Sequence, residues 1–150
     1  MRVQVPFTAI TSDKPAEKGS FKMVTRKYAF QDGLPKSDCP PGDATTKARE
    51  FFACHKNSPA IANDFATAFE RNQYQGQCEC RRRAHSVFSE VRDAQALLKS
   101  YPARFRYVSR GRINRTHGVC KHTPSSANRS HHSFWRFDDV AMRDIFTDQL

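Results

Sequence analysis

The sequence has no long apolar run. None of its 150 residues lies in a stretch approaching the roughly 20 apolar side chains that a helix needs to cross a bilayer. Membrane insertion is therefore not expected. The opening Met-Arg-Val-Gln-Val-Pro lacks the apolar core of a classical secretory signal, and a single arginine in the first ten residues gives little support to a transit peptide. An intracellular site, cytoplasmic or organellar, is the expectation. No internal repeat occurs. Several motifs are also missing: His-Glu-x-x-His, Gly-x-Ser-x-Gly, a Gly-Lys-Ser/Thr phosphate loop, and His-x-Glu with Cys-x-x-Cys. Cysteine is odd in number, at Cys39, Cys54, Cys78, Cys80 and Cys120. An odd count without a signal argues against a closed extracellular disulfide framework, so reduced surroundings are the default.

Acids are scarce, and what is present is basic. The chain carries 25 Lys+Arg against 15 Asp+Glu, a formal charge of +10. Between Arg81 and Arg136 there are 13 bases, and Glu90 and Asp93 are the only acids, giving +11. The rest of the chain has 12 bases and 13 acids, a balance of −1. Self-repulsion in such a block is offset by an anionic counterpart, which marks it as a binding surface. Eleven of the 13 bases are arginine. Guanidinium forks bind phosphate oxygens in pairs and stack on bases, so the ratio favours nucleic acid over a membrane surface. A solvated face that confers only solubility is the bland alternative. Aromatics at 11%, with 12 Phe, exclude a polyelectrolyte that never packs.

Periodicity predicts a small α+β domain in a single unit, 1–150, with three parts. Residues 1–42 read as a β-like segment and loop, with strands over Arg2–Phe7 and Phe21–Phe30. Residues 43–101 read as a helical middle. Asp43 or Thr45 caps a helix bearing Ala48, Phe51 and Phe52, and Ser58-Pro59 starts a second with Ile61, Phe65 and Phe69. A third spans Arg82–Ser100, with Ala84, Val87, Phe88, Val91, Ala94 and Leu98 on one stripe, and Pro102 stops it. Residues 102–150 read as a basic β-hairpin turning at Ser109-Arg110-Gly111, a long His/Ser-rich loop over Thr116–Ser133, and a C-terminal helix capped by Asp138.

Three constellations can carry chemistry. Cys78-Glu79-Cys80 with Cys120-Lys121-His122 supplies a Cys₃His set of the kind tetrahedral Zn²⁺ accepts, which would staple a modest core. The Cys-x-Cys spacing is weaker than a doubled Cys-x-x-Cys, and free thiols or a disulfide remain alternatives. The basic hairpin presents Arg104 and Arg106 opposite Phe105 and Tyr107, continuing into Arg110, Arg112 and Arg115. With Arg81, Arg82 and Arg83 it forms a candidate phosphate clamp. For Phe105 and Tyr107 core is the favoured reading, because the chain is short of apolar volume, and the arginines keep their role in either case. His117, His122, His131 and His132 supply the residue types that ribonucleases use to move a proton off a 2′-hydroxyl, without a fixed motif. The leading expectation is a small, non-enzymatic Arg-rich nucleic-acid-binding protein, with RNA favoured over DNA, acting as a phosphate clamp or ribonucleoprotein accessory subunit. The alternatives are a small ribonuclease or toxin-like phosphodiesterase using His117, His122 or His131, and a structural accessory subunit of a larger protein assembly.

Overall fold

The computed structural model describes residues 29–31 and 33–150. The expected strands at Arg2–Phe7 and Phe21–Phe30 lie outside the described residues, apart from the end at Ala29 and Phe30, where Phe30 forms a bridge with Phe137. The described chain builds one antiparallel sheet of six strands: β1 (Arg49–His55), β2 (His85–Phe88), β3 (Tyr107–Ile113), β4 (Gly118–His122), β5 (His131–Arg136) and β6 (Asp148–Gln149). Their order across the sheet is β4-β5-β2-β1-β3-β6. Helix is sparse: α1 (Glu79–Arg82), α2 (Val91–Ser100), α3 (Met142–Ile145) and a 3-10 turn at Ala62–Phe65. The domain is thus small and sheet-dominated rather than helix-rich.

The helix expected after Asp43 or Thr45 is instead β1. Phe51 to His55 are all buried, because α2 covers one face of the sheet and the 3-10 turn with α3 covers the other. A strand buried on both faces reads as a continuous apolar run, and short runs of this kind do not distinguish strand from helix. The same effect splits the helix expected over Arg82–Ser100. Val87 and Phe88 are adjacent and both buried, one on each face, so 85–88 is strand. Glu90 then adopts an extended conformation, and helix begins at Val91.

Four further expectations are corrected. Ser109-Arg110-Gly111 is not a turn but the middle of β3, paired along its length with β1 from Arg49↔Ile113 to His55↔Tyr107. The expected loop over Thr116–Ser133 holds β4 and the start of β5, a hairpin in register from Gly118↔Arg136 to His122↔His132, with 123–130 as its connection. Ser58-Pro59 leads to the 3-10 turn, not a long helix. There Asp64 fixes the chain: its carboxylate accepts from the backbone N–H of Ile61 at 2.8 Å and of Lys56 at 3.2 Å, and from the Asn57 amide at 2.9 Å. The C-terminal helix shortens to α3, after which β6 adds an edge to β3.

The two cores follow from strand alternation. Phe52, Cys54, Phe88 and Val108 meet Ala94 and Leu97 of α2 on the first face. Phe51, Ala53, Val87, Ile113 and Phe134 meet Phe65, Met142, Ile145 and Phe146 on the second. Gly111 lets the chain at α3 approach closely: a Cβ there would stand 2.5 Å from the Ile145 carbonyl oxygen. A disulfide between Cys39 and Cys80 ties the segment before β1 to α1. No helix among the described residues is long and apolar enough to cross a membrane.

Candidate functional site

Helix α2 packs over β1, β3 and Phe88 of β2, and beside it Ser86 of β2 and strand β5 line a cleft of about 320 Å³. Ser86, His131 and Ser133 line its floor beside Thr123, just beyond β4. One wall comes from Leu97 and Tyr101 at the end of α2, with Arg104 and Phe105 after it. Thr67, Ala68, Tyr74 and Gln77 of the loop after the 3-10 turn, with Arg81 of α1, also line it. Among the described residues the only carboxylate lining the cleft is Asp64, already occupied by its three N–H donors. Arg81 and Arg104 therefore give the described lining of the cleft a net positive charge.

Arg104 is the most constrained of these groups. Its guanidinium lies over the Phe105 ring, 4.8 Å from the centroid, and its Nε is buried with no hydrogen-bond partner. Burial and the nearby charge of Arg71 lower its affinity for a proton, opposed by Tyr74 and Tyr101. Those two tyrosines are 59% and 53% exposed, among the most exposed large hydrophobic residues described. They stand at the rim with Arg104 between aromatic and charged neighbours, an arrangement suited to stacking a base beside a phosphate. A second, more open hollow of about 830 Å³ is lined by Glu70, Asp138 and Asp139 as well as Arg71, Arg136 and Arg143. Its charges balance, so it offers no preference for an anion.

Of the nine residues expected to bind nucleic acid, the structure keeps some free and commits others to the fold. Arg81 and Arg104 line the cleft, and Arg106, Arg112 and Arg115 are exposed. Arg82 donates from Nε to the Gln73 carbonyl at 2.9 Å, and Arg83 pairs with Glu79 at 2.7 Å; both stack on Phe69. Arg110 is held by Asp148 at 2.6 Å, with Glu50 at 3.7 Å. Tyr107 is half-buried against His55, on the core side of β3.

The expected histidine cluster comes apart across the sheet. His131 enters the cleft, whereas His122 and His132 lie on the opposite face with ring centroids 4.8 Å apart. There His122 Nε2 donates to the Arg129 carbonyl and His132 Nδ1 to that of Ser130. His117 sits in the turn before β4, where its Nδ1 accepts the backbone N–H of Asn114 at 3.1 Å. The expected zinc ligands are likewise not gathered. Cys80 is bonded to Cys39, Cys78 is exposed, and Cys120 is half-buried in β4 beside His122's strand end. Among the described residues no three His, Cys, Asp or Glu side chains group to hold a metal ion.

Sequence reading missed Ser86, Thr123, Tyr74 and Tyr101. None sits in a motif; β-pairing of three strands distant in sequence brings the first two together, and chain return after α2 places the tyrosines. No family model, no curated protein and no solved structure matches this chain.

Proposed function

We propose that this protein is a phosphate-clamping, single-strand nucleic-acid-binding protein, with RNA as its favoured ligand and the cleft beside α2 as its binding site. The observation that carries the reading is Arg104, held half-buried beside Arg71 with no carboxylate to balance it among the described residues and flanked by the exposed rings of Tyr74 and Tyr101. Holding two guanidiniums together costs stability unless an anion joins them. Phosphates would meet Arg81 and Arg104 while bases stack on the tyrosines. Exposed Arg106, Arg112 and Arg115 extend the positive surface along which a strand could run.

The test is a titration of labelled single-stranded RNA at several salt concentrations, each endpoint run on a denaturing gel. Binding should weaken steeply with salt, with a log–log slope of about −0.7 per phosphate contacted. The double variant Arg81→Gln/Arg104→Gln should flatten that slope by about 1.4 and lower affinity at least about tenfold near 0.15 M salt. No binding near 0.15 M salt, or an unchanged slope in the double variant, would overturn the assignment.

A further inference from the structure

Two of the sheet's histidines face a serine hydroxyl with the same hydrogen-bond logic, and only one of them is open to solvent. His131 Nδ1 lies 3.0 Å from the carbonyl oxygen of Thr123. A carbonyl oxygen accepts and cannot donate, so Nδ1 carries the proton in the neutral ring. Nε2 is left with its lone pair and stands 2.9 Å from Ser86 Oγ, whose hydroxyl must then be the donor. Thr123 Oγ1, 2.9 Å from both His131 Nδ1 and Ser133 Oγ, closes the network behind the ring. His55 repeats the pattern, with Nδ1 on the Asn57 carbonyl at 2.8 Å and Nε2 on Ser109 Oγ at 2.7 Å. There, however, ring and hydroxyl are 1% and 2% exposed, so that pair satisfies buried polar atoms and reaches no ligand. Ser86 is exposed, on the floor of the cleft.

We propose that Ser86 and His131 form a nucleophile and general-base pair that attacks phosphodiesters on the floor of this cleft. A hydroxyl hydrogen-bonded to an imidazole whose far nitrogen is oriented by a third group is the arrangement that activates serine. The choice of phosphodiester rests on the nucleic-acid reading above. Arg81 and Arg104 supply the positive charge that a phosphoryl transition state needs. Burial and the charge of Arg81 keep the His131 ring below its ordinary proton affinity, hence neutral and able to accept at pH 7.

The step balances with water as the only co-reactant. Ser86 Oγ bonds to phosphorus as its proton passes to His131 Nε2. The bond from phosphorus to the leaving nucleoside oxygen breaks, and His131 returns the proton to that oxygen. Water then attacks the seryl phosphodiester. His131 takes one proton from the water and passes it to Ser86 Oγ as the Oγ–phosphorus bond breaks, releasing a phosphomonoester.

The test uses two small probes that need no RNA clamp: a fluorophosphonate, mapped by mass spectrometry, and bis(p-nitrophenyl) phosphate. The expected result is an adduct on Ser86 with none on Ser109, and release of p-nitrophenolate that falls at least about 100-fold in Ser86→Ala and in His131→Gln. Ser86 is exposed, so Ser86→Ala should fold as the parent does, which its near-UV circular dichroism checks. Absence of an adduct on Ser86, or release that survives Ser86→Ala, overturns the pair. RNA products ending in a 2′,3′-cyclic phosphate would also overturn it, since the RNA's own hydroxyl would then be the nucleophile. RNA bound and intact, with no adduct, would sink the pair while leaving the binding reading in place. An adduct with phosphodiester release but no RNA affinity would support the pair and sink the binding reading.

Discussion

Lowering the pH from 7 should destabilise this protein through His85. His85 is buried on β2, with both ring nitrogens engaged: Nδ1 donates to the Phe65 carbonyl at 2.9 Å, and Nε2 accepts from Arg136 Nε at 3.2 Å. A second ring proton would turn the Nε2 acceptor into a donor aimed at a guanidinium. Burial first, and then the charge of Arg136, therefore push the His85 pKa down to about 4. An unfolded chain takes up the same proton near pH 6.5. Between those values the unfolded state binds more protons than the native one, so this contribution is intact above pH 6.5 and is lost as pH falls toward 4. Linkage gives a loss of about 1 kcal/mol by pH 5.5 and about 2.5 kcal/mol by pH 4.5, relative to pH 7. Urea unfolding at pH 7, 5.5 and 4.5 would measure it. Burial also lowers the proton affinities of His117, His131 and His132, which adds to the same trend. The imidazole resonances of His85 followed by NMR isolate its share. A midpoint near 6.5 for His85, or a urea midpoint flat down to pH 4.5, would refute the reasoning.

Other outcomes follow from the same contacts. Gly111→Ala would push a methyl group against the Ile145 carbonyl oxygen and to within 2.9 Å of the Phe146 ring, so it should cost about 1–3 kcal/mol in urea unfolding. Burial raises the thiol pKa of Cys54 and Cys120 to about 12, whereas Cys78 is exposed. Iodoacetamide at pH 8 should therefore label one thiol in the native protein, Cys78, and three after unfolding without reductant. Tyr101→Ala should weaken single-stranded RNA binding about tenfold, as loss of one stacked base would, and leave thermal stability nearly unchanged because the ring is exposed. Equal affinity in that variant would remove the tyrosine from the interface.

How far the sequence could be read depended on which quantity a residue pattern encodes. Helix α2 was legible because Val91, Ala94 and Leu98 form a stripe against a polar back, and only a surface helix leaves that trace. The strands β1, β2 and β5 were not, because Phe51–His55, Val87–Phe88 and His132–Trp135 are buried in succession and so lose the period of two that would reveal a strand. Val87 and Phe88 then completed a false helical stripe with the residues of α2. Thr116–Ser133 looked like a loop because β4 and β5 bury histidine, serine and cysteine beside their aromatics, and a scarcity of aliphatic residues hides a strand.

The candidate site divides in the same way. Composition by itself determined the sign of the charge, its concentration in one block and the dominance of arginine over lysine, since these are sums that folding cannot change. Which arginines remain available was decided by tertiary structure alone. Arg82, Arg83 and Arg110 are consumed by Gln73, Glu79 and Asp148, while Arg81 and Arg104 are left to face a cleft. The sequence likewise offered a supply of histidines without a geometry. Strand pairing sent His122 and His132 to one face of the sheet and His131 to the other. The physical reason is that alternate residues of a strand point to opposite faces, so neighbours in sequence are parted while Ser86 and His131, 45 residues apart, come within a hydrogen bond.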